Sequence, residues 1–162
     1  VAERTLSPTS RRLLGAALAA AVLAVFWPAL GGGFFFIDDA RYVAANPDVL
    51  AGLSPRAVAW ALTTRACEYY HPLTWLSLLT DASLFGTGPS GFHFTALLLH
   101  ALNAWLLFEV LLDWGCGAWP SAAAAALFAL HPLRVETAAW ISERKGVLCA
   151  FFVLVALRLY GR

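Results

Sequence analysis

The run LLGAALAAAVLAVFWPAL, residues 13–30, carries no charge, and GGGFFFIDDARY, residues 31–42, follows it directly. About 18 residues of helix rise roughly 27 Å, close to the ~30 Å hydrocarbon core of a bilayer. The first stretch therefore reads as a membrane-spanning helix, and the acidic pair Asp38-Asp39 falls at its far boundary, between aromatic residues. Arg11-Arg12 just ahead of the run holds that end in the cytoplasm. The whole chain agrees with this reading. It is 60% hydrophobic and only 13% charged, where a soluble domain has about 25% charged residues, so it lacks the polar surface to cover a core in water. Its mean hydropathy of +0.70 is gathered into long blocks. A rival reading of the same run is a secretory signal, since Ser10-Arg11-Arg12-Leu13-Leu14 has a twin-arginine look. The run is long for a signal core, and no A-x-A site precedes Phe34–Phe36.

Outward from this stretch the chain reads as an all-α integral membrane protein. Residues 1–12 form a cytoplasmic N-terminus and 13–162 one membrane domain, with about four spans near 13–30, 92–112, 120–135 and 146–160. Residues 31–90 form an external loop of short amphipathic helices. Asp38 or Asp39 caps a helix to about Ala45, which Asn46-Pro47 stops; Ser54-Pro55 opens another to about Thr63. Pro72 starts a third, to about Leu84, too short to span and too apolar to float free, so it lies at the interface or re-enters. Residues 134–145 form a second external loop. Arg4, Arg11, Arg12, Arg158 and Arg162 then lie inside, but more cations lie outside, so orientation rests mainly on the first helix. His-Pro-Leu occurs at 71 and 131, but the flanks differ, so these read as two similar turns and not a repeat.

A net charge of +1 without a basic cluster points away from nucleic acid. Cys67, Cys116 and Cys149 have neither even number nor paired spacing, which argues against a disulfide framework or zinc knuckle. His93 and His100 stand about 10.5 Å apart along a helix, too far to share a metal ion. With Asn103 they mark the face turned to other helices. No metal site is expected, and no cofactor.

Asp38 and Asp39 carry the sharpest signal. One capping acid accounts for one of them, and neighbours on a chain point in different directions, so the two take different roles. Glu143-Arg144-Lys145 is the second signal: paired cations just above a bilayer suit a phosphate head group.

The order FFFIDDARY (34–42), NPDVLAGLSPRAVAWALT (46–63), YYHPLTWLSLLTDASLFG (69–86) and FALHPLRVETAAWISERKGVL (128–148) resembles the N-terminal part of a bacterial membrane glycosyltransferase of the GT-C superfold. The nearest group is the protein O-mannosyltransferase-like proteins with tetratricopeptide repeats. The resemblance covers about residues 22–160. It implies an inverting transferase that moves a sugar, mannose among the options, from a polyprenyl-phosphate carrier to a protein or glycan hydroxyl. The setting it implies is the periplasmic face of a bacterial inner membrane. It implies Asp38 as the catalytic acid with Asp39 beside it. It implies Arg144 and Lys145, with Glu143, on the lipid phosphate, and Tyr70, His71, His131 and Glu136 lining the same cavity. Such enzymes have roughly a dozen spans and a repeat solenoid. A chain with about four is expected to be a truncated or split product, too short to be active alone. Two other classes fit the residues: a non-catalytic helical membrane subunit whose acids only cap helices, and a transporter fragment, the latter disfavoured because the acids lie in loops.

Overall fold

In the computed structural model residues 6–35 and 38–161 are described, as is all but the side chain of Ala138. Phe36, Ile37, Arg4 and Arg162, which figure in the expectations above, lie outside them.

The described residues are all-helical, without a strand. Helix α1, Pro8–Phe26, starts earlier than the apolar run because Ser7 caps it, its hydroxyl accepting from Ser10 N, with Pro8 in the first turn. It continues as a 3-10 turn, Trp27–Gly31, where Pro28 brings no amide hydrogen to the α ladder. A π turn, Ala40–Ala44, leads to α2, Pro47–Leu50, capped by Asn46. Then come α3, Pro55–Thr63, capped by Ser54, and α4, Pro72–Phe85, both starting where Ser54-Pro55 and Pro72 predict. Gly86, at φ +80°, ends α4 in a conformation costly for any side chain. Helix α5 is Pro89–Asp113, α6 Ala118–Leu130, α7 Arg134–Ala139 and α8 Arg144–Tyr160.

Two helices, not four, are long and apolar enough to cross a membrane among the described residues: Pro8–Gly31, with 24 residues, and Pro89–Asp113, with 25. The span expected at 120–135 is cut short. Helix α6 has 13 residues, about 20 Å, because the backbone turns extended at His131 ahead of Pro132. The rest of that expected span belongs to the separate α7. The fourth expected span is α8, of 17 residues, about 26 Å, with Arg144 and Arg158 near its two ends.

Cross-helix bonds fix the directions. Arg11, in the first turns of α1, donates to Glu109, late in α5, as does Arg158, late in α8. Arg144, opening α8, donates to the carbonyl of Phe92, early in α5. Helix α8 therefore runs parallel to α5, and α1 antiparallel. The polar face expected on α5 is indeed spent on its neighbours. His93 Nε2 lies 3.4 Å from Gly33 O, His100 Nε2 2.9 Å from Ala129 O on α6, and Asn103 Nδ2 donates to Val147 O on α8 at 2.9 Å. Gly15 admits the Trp105 indole, which would lie 2.5 Å from any Cβ at that position. Glu109 is buried and ion-paired with Arg11 and Arg158.

Two apolar clusters result. One, with Val22, Phe26, Leu97, Ala101, Ala104 and Ala129, joins α1, α5 and α6. The other lies under the segment after α1 and gathers Tyr42, Val43, Val49, Trp75, Leu78, Leu79, Phe92 and Ile141. Helix α4 packs on this second core through Trp75, Leu78, Leu79 and Ala82.

Candidate functional site

The acidic pair splits. Asp39 is fully buried. Its Oδ2 accepts from Phe35 N and its Oδ1 from Ser142 N, each at 2.9 Å. One carboxylate thus ties the segment after α1 to the 3-10 turn Ile141–Glu143, 103 residues further on. Neither acid caps a helix through its side chain: Asp39 precedes the π turn without a capping bond. The capping expectation fails because Asp39 is drawn into this tertiary contact. Asp38 is half-buried; its backbone carbonyl accepts from Tyr42 N, and its carboxylate has no hydrogen-bond partner among the described residues.

The Arg144-Lys145 pair splits the same way. The Arg144 guanidinium is wholly enclosed, donating to Ser77 Oγ at 2.6 Å, Asp81 Oδ2 at 2.7 Å and Phe92 O at 2.7 Å. Asp81 in turn accepts from Thr95 Oγ1 at 2.7 Å. Lys145 is about one-third exposed. Its ammonium donates to Glu143 Oε1 at 2.8 Å and Ser142 O at 3.2 Å, and lies 5.5 Å from the centre of the Tyr42 ring. An ammonium has three donors, so one remains for an anion.

Aromatic rings floor this corner. His71 stacks on Tyr42, centroids 5.7 Å apart, and on Trp75 at 4.9 Å, while Trp60 meets Trp75 edge-on at 5.0 Å. Burial pushes the Tyr42 phenol up to about 12, and the nearby charges of Cys67, Asp38 and Glu143 add to the shift. Burial also raises the Cys67 thiol, which Asp38 raises further and Arg41 and Lys145 oppose. Burial lowers the His71 imidazole, with Lys145 adding to the effect. These mutual influences bring Asp38, Tyr42, Cys67, Glu143, Lys145 and His71 into one neighbourhood. Cys67 and Glu68 hold positive φ angles of 57° and 69°, a strained turn beside it.

The other site expectations fall elsewhere. Tyr70 is exposed and donates back to Leu62 O at 3.1 Å. His131 is exposed, its Nδ1 accepting from Leu133 N at 3.2 Å. Glu136 lines a cleft of about 410 Å³ with Phe35, Val135, Ala139 and Trp140. Sequence reasoning missed Tyr42, Trp75 and Asp81. The signal for Asp81 is present, an acid alone in the otherwise uncharged Pro72–Phe85 helix. No group of three His, Cys, Asp or Glu side chains is placed to hold a metal ion among the described residues.

No family model matches the chain, and no solved structure matches it. It is 30% identical over 141 residues to protein O-mannosyl-transferase Tmtc1 of Drosophila melanogaster, covering 82% of this chain and 16% of that protein. To Tmtc2 of the same species it is 34% identical over 138 residues, 79% of this chain and 14% of the relative. To human TMTC2 it is 30% identical over 148 residues, 85% and 17%. The chain spans about one-sixth of the length of the relatives it matches, and is thus similar, over four-fifths of its own length, to a segment of proteins named protein O-mannosyl-transferase.

Proposed function

We propose that this chain is the part of a membrane glycosyltransferase that carries the acid activating the acceptor. In this reading a sugar, mannose by the name of the relatives, moves from a polyprenyl-phosphate carrier to a protein or glycan hydroxyl on the non-cytoplasmic face. Asp38 takes the hydroxyl proton as the oxygen attacks the anomeric carbon. The bond from that carbon to the carrier's phosphate oxygen breaks, and the leaving phosphate gathers negative charge that a fixed cation stabilises. Lys145 supplies the cation, steered by Glu143. Asp39 and Arg144 hold the two loops in place. The observation that carries the reading is the unequal fate of the two acids: one has both oxygens taken by backbone amides, while the other is half-buried with its carboxylate uncommitted among the described residues.

In the same reading the chain is a partial GT-C fold with four crossings, α6 and α8 completing them beside α1 and α5. Two features support this: exposed apolar side chains on α6 and α8, among them Trp119, Leu127, Phe152, Val153 and Leu159, and the gathering of Arg11, Glu109, Asp113 and Arg158 at one end. That end is the cytoplasmic one. The rest of a full-length relative would close the site.

The test is Asp→Asn at the position matching Asp38 in a full-length relative, assayed for transfer and for folding. Transfer falls at least about 100-fold with the fold intact, in the range that general-base removal gives. A helical subunit without catalysis is the second reading, favoured by the bonds that His100 and Asn103 make to the neighbouring helices α6 and α8. It predicts unchanged transfer, and that result would remove Asp38 from the chemistry.

A further inference from the structure

The end of the bundle opposite Asp38 and Lys145 holds a cavity of about 380 Å³ bounded by Arg11, Arg12, Trp105, Glu109, Asp113 and Arg158. Three helices meet there: α1 brings Arg11 and Arg12, α5 brings Trp105 and the two acids, and α8 brings Arg158. The carboxylates are largely spent. Glu109 Oε1 accepts from the Trp105 indole at 3.3 Å, and its Oε2 accepts from Arg11 Nε at 2.9 Å and from Arg158 Nη2 at 2.6 Å. Asp113 Oδ1 accepts from Arg11 Nη2, and Oδ2 lies 3.6 Å from Arg158 Nε. The cations are not spent. A guanidinium has five N–H donors, and Nη1 of Arg11 and Nη1 of Arg158 make no hydrogen bond among the described residues. Arg12 is exposed and has neither hydrogen bond nor ion pair among them. Three guanidiniums against two carboxylates leave one positive charge over. The cavity therefore suits a ligand with one negative charge and several acceptor oxygens, and a phosphodiester has both.

A second feature says where such a ligand comes from. Trp114, Trp119 and Tyr160 are all exposed at this end of the bundle: Trp114 closes α5, Trp119 opens α6 and Tyr160 closes α8. Exposed Trp and Tyr gathered at one level mark the headgroup zone of a bilayer. Leu13 and Leu159, next in sequence to Arg12 and Arg158, are exposed as well, so apolar surface borders the cavity where acyl chains would lie.

We propose that this cavity seats the phosphodiester head of an anionic glycerophospholipid from the leaflet at this end, with Arg12 and the unbonded Nη1 groups of Arg11 and Arg158 on the phosphate. Basic pockets between membrane helices hold such heads. The surplus of one charge selects a head of net negative charge over a zwitterionic one, whose ammonium restores the imbalance. The lipid joins α1 to α8 across the acids of α5 and tightens the junction of the three helices. The proposal is independent of the transferase reading, whose residues lie at the other end.

The experiment uses the whole chain in detergent micelles, with phosphatidylglycerol, phosphatidylcholine and glycerol 3-phosphate as probes. Affinity is read by native mass spectrometry and by the melting midpoint, which a ligand of the folded state raises. Phosphatidylglycerol binds at least tenfold more tightly than phosphatidylcholine and raises the midpoint, and glycerol 3-phosphate at the same concentration does not. Arg12→Gln weakens phosphatidylglycerol at least fivefold and leaves the lipid-free midpoint unchanged, because Arg12 holds nothing else in place. Arg56→Gln removes the same charge from an exposed position on α3 and leaves the affinity unchanged. Equal losses in the two variants mean diffuse attraction and overturn the proposal, as does equal affinity for the two lipids. Glycerol 3-phosphate matching phosphatidylglycerol makes this a site for a soluble phosphate ester and overturns the lipid assignment. Should Arg12→Gln disturb the fold, a phosphatidylglycerol with a diazirine in its head, applied to the unaltered chain, decides. Labelling within residues 8–15 and 105–113 upholds the seat, and labelling confined elsewhere overturns it.

Discussion

Two neighbouring pairs, Asp38-Asp39 and Arg144-Lys145, divide the outer corner of the molecule into an inside and an outside. Asp39 and Arg144 turn inward and are fully buried, Asp39 held by two backbone amides and Arg144 by Ser77, Asp81 and Phe92, so that each ties together distant segments. Asp38 and Lys145 turn outward and keep unspent capacity. Charges taken out of water must be paired or they titrate or destabilise, so a buried charge reports a framing role whatever its chemistry elsewhere. A half-exposed charge set on such a frame has the fixed position that binding and catalysis need without the desolvation cost. The opposite end of the bundle shows the other limit. Arg11, Glu109, Asp113 and Arg158 there bond one another, and the network holds three helices together at one level.

The hardest blow to this division is aimed at the frame. Asp81→Ala strands the Arg144 guanidinium, which has no exposure, and removal of one partner of a buried pair costs about 3–5 kcal/mol. Unfolding titrations in mixed micelles should show a loss of this size. The paired replacement Asp81→Leu with Arg144→Met should recover most of it, since an apolar pair of similar volume needs no desolvation. A single variant with unchanged stability would mean that Arg144 is not confined as described, and would return it to the phosphate role that its place in the sequence suggests.

The second test sets the two acids against each other. Asp39→Ala leaves two backbone amides without acceptors, one of them, Ser142 N, deeply buried. At about 1–3 kcal/mol for a stranded buried donor, stability should fall by about 2 kcal/mol or more. Asp38→Ala should stay within about 0.5 kcal/mol, the range of substitutions away from buried features. Equal losses at the two positions would erase the distinction on which the assignment of the base depends.

Much of the frame was legible because its signals are local. Ser54-Pro55 and Pro72 start helices where they do because caps and proline act within one turn. His93, His100 and Asn103 declare a packed face because polar groups in a long apolar helix need partners. What stayed hidden depends on groups far apart in the chain. Nothing near Asp39 announces Ser142, and nothing in the Glu143-Arg144-Lys145 run says which cation turns inward. The choice is made by Asp81, 63 residues away. The short α6 is a different case, since its break is local: the backbone turns extended at His131 ahead of Pro132, and Arg134 then folds back over the Phe128 ring at 4.4 Å.

The smallest effect tests the aromatic floor that joins inside to outside. His71 is stacked between Tyr42 and Trp75, with Lys145 nearby and Tyr69 tilted against it at 6.2 Å. Burial and the Lys145 charge both lower its pKa from the ordinary value near 6.5. The unfolded chain therefore takes up the proton first as pH falls, and the folded state holds its full advantage only above about 6.5. Stability should decline as pH drops through 6.5 and level off once the folded imidazole is protonated too. His71→Phe keeps a ring in the stack and has nothing to titrate, so the difference between its melting profile and that of the unaltered chain between pH 7.5 and pH 5 isolates this one group. Lys145→Met should shrink the decline without abolishing it, because burial remains the larger cause. Parallel profiles for the unaltered chain and His71→Phe would mean that the imidazole is more open to water than its stacking implies, and that the floor beneath Lys145 is looser than the frame beside it.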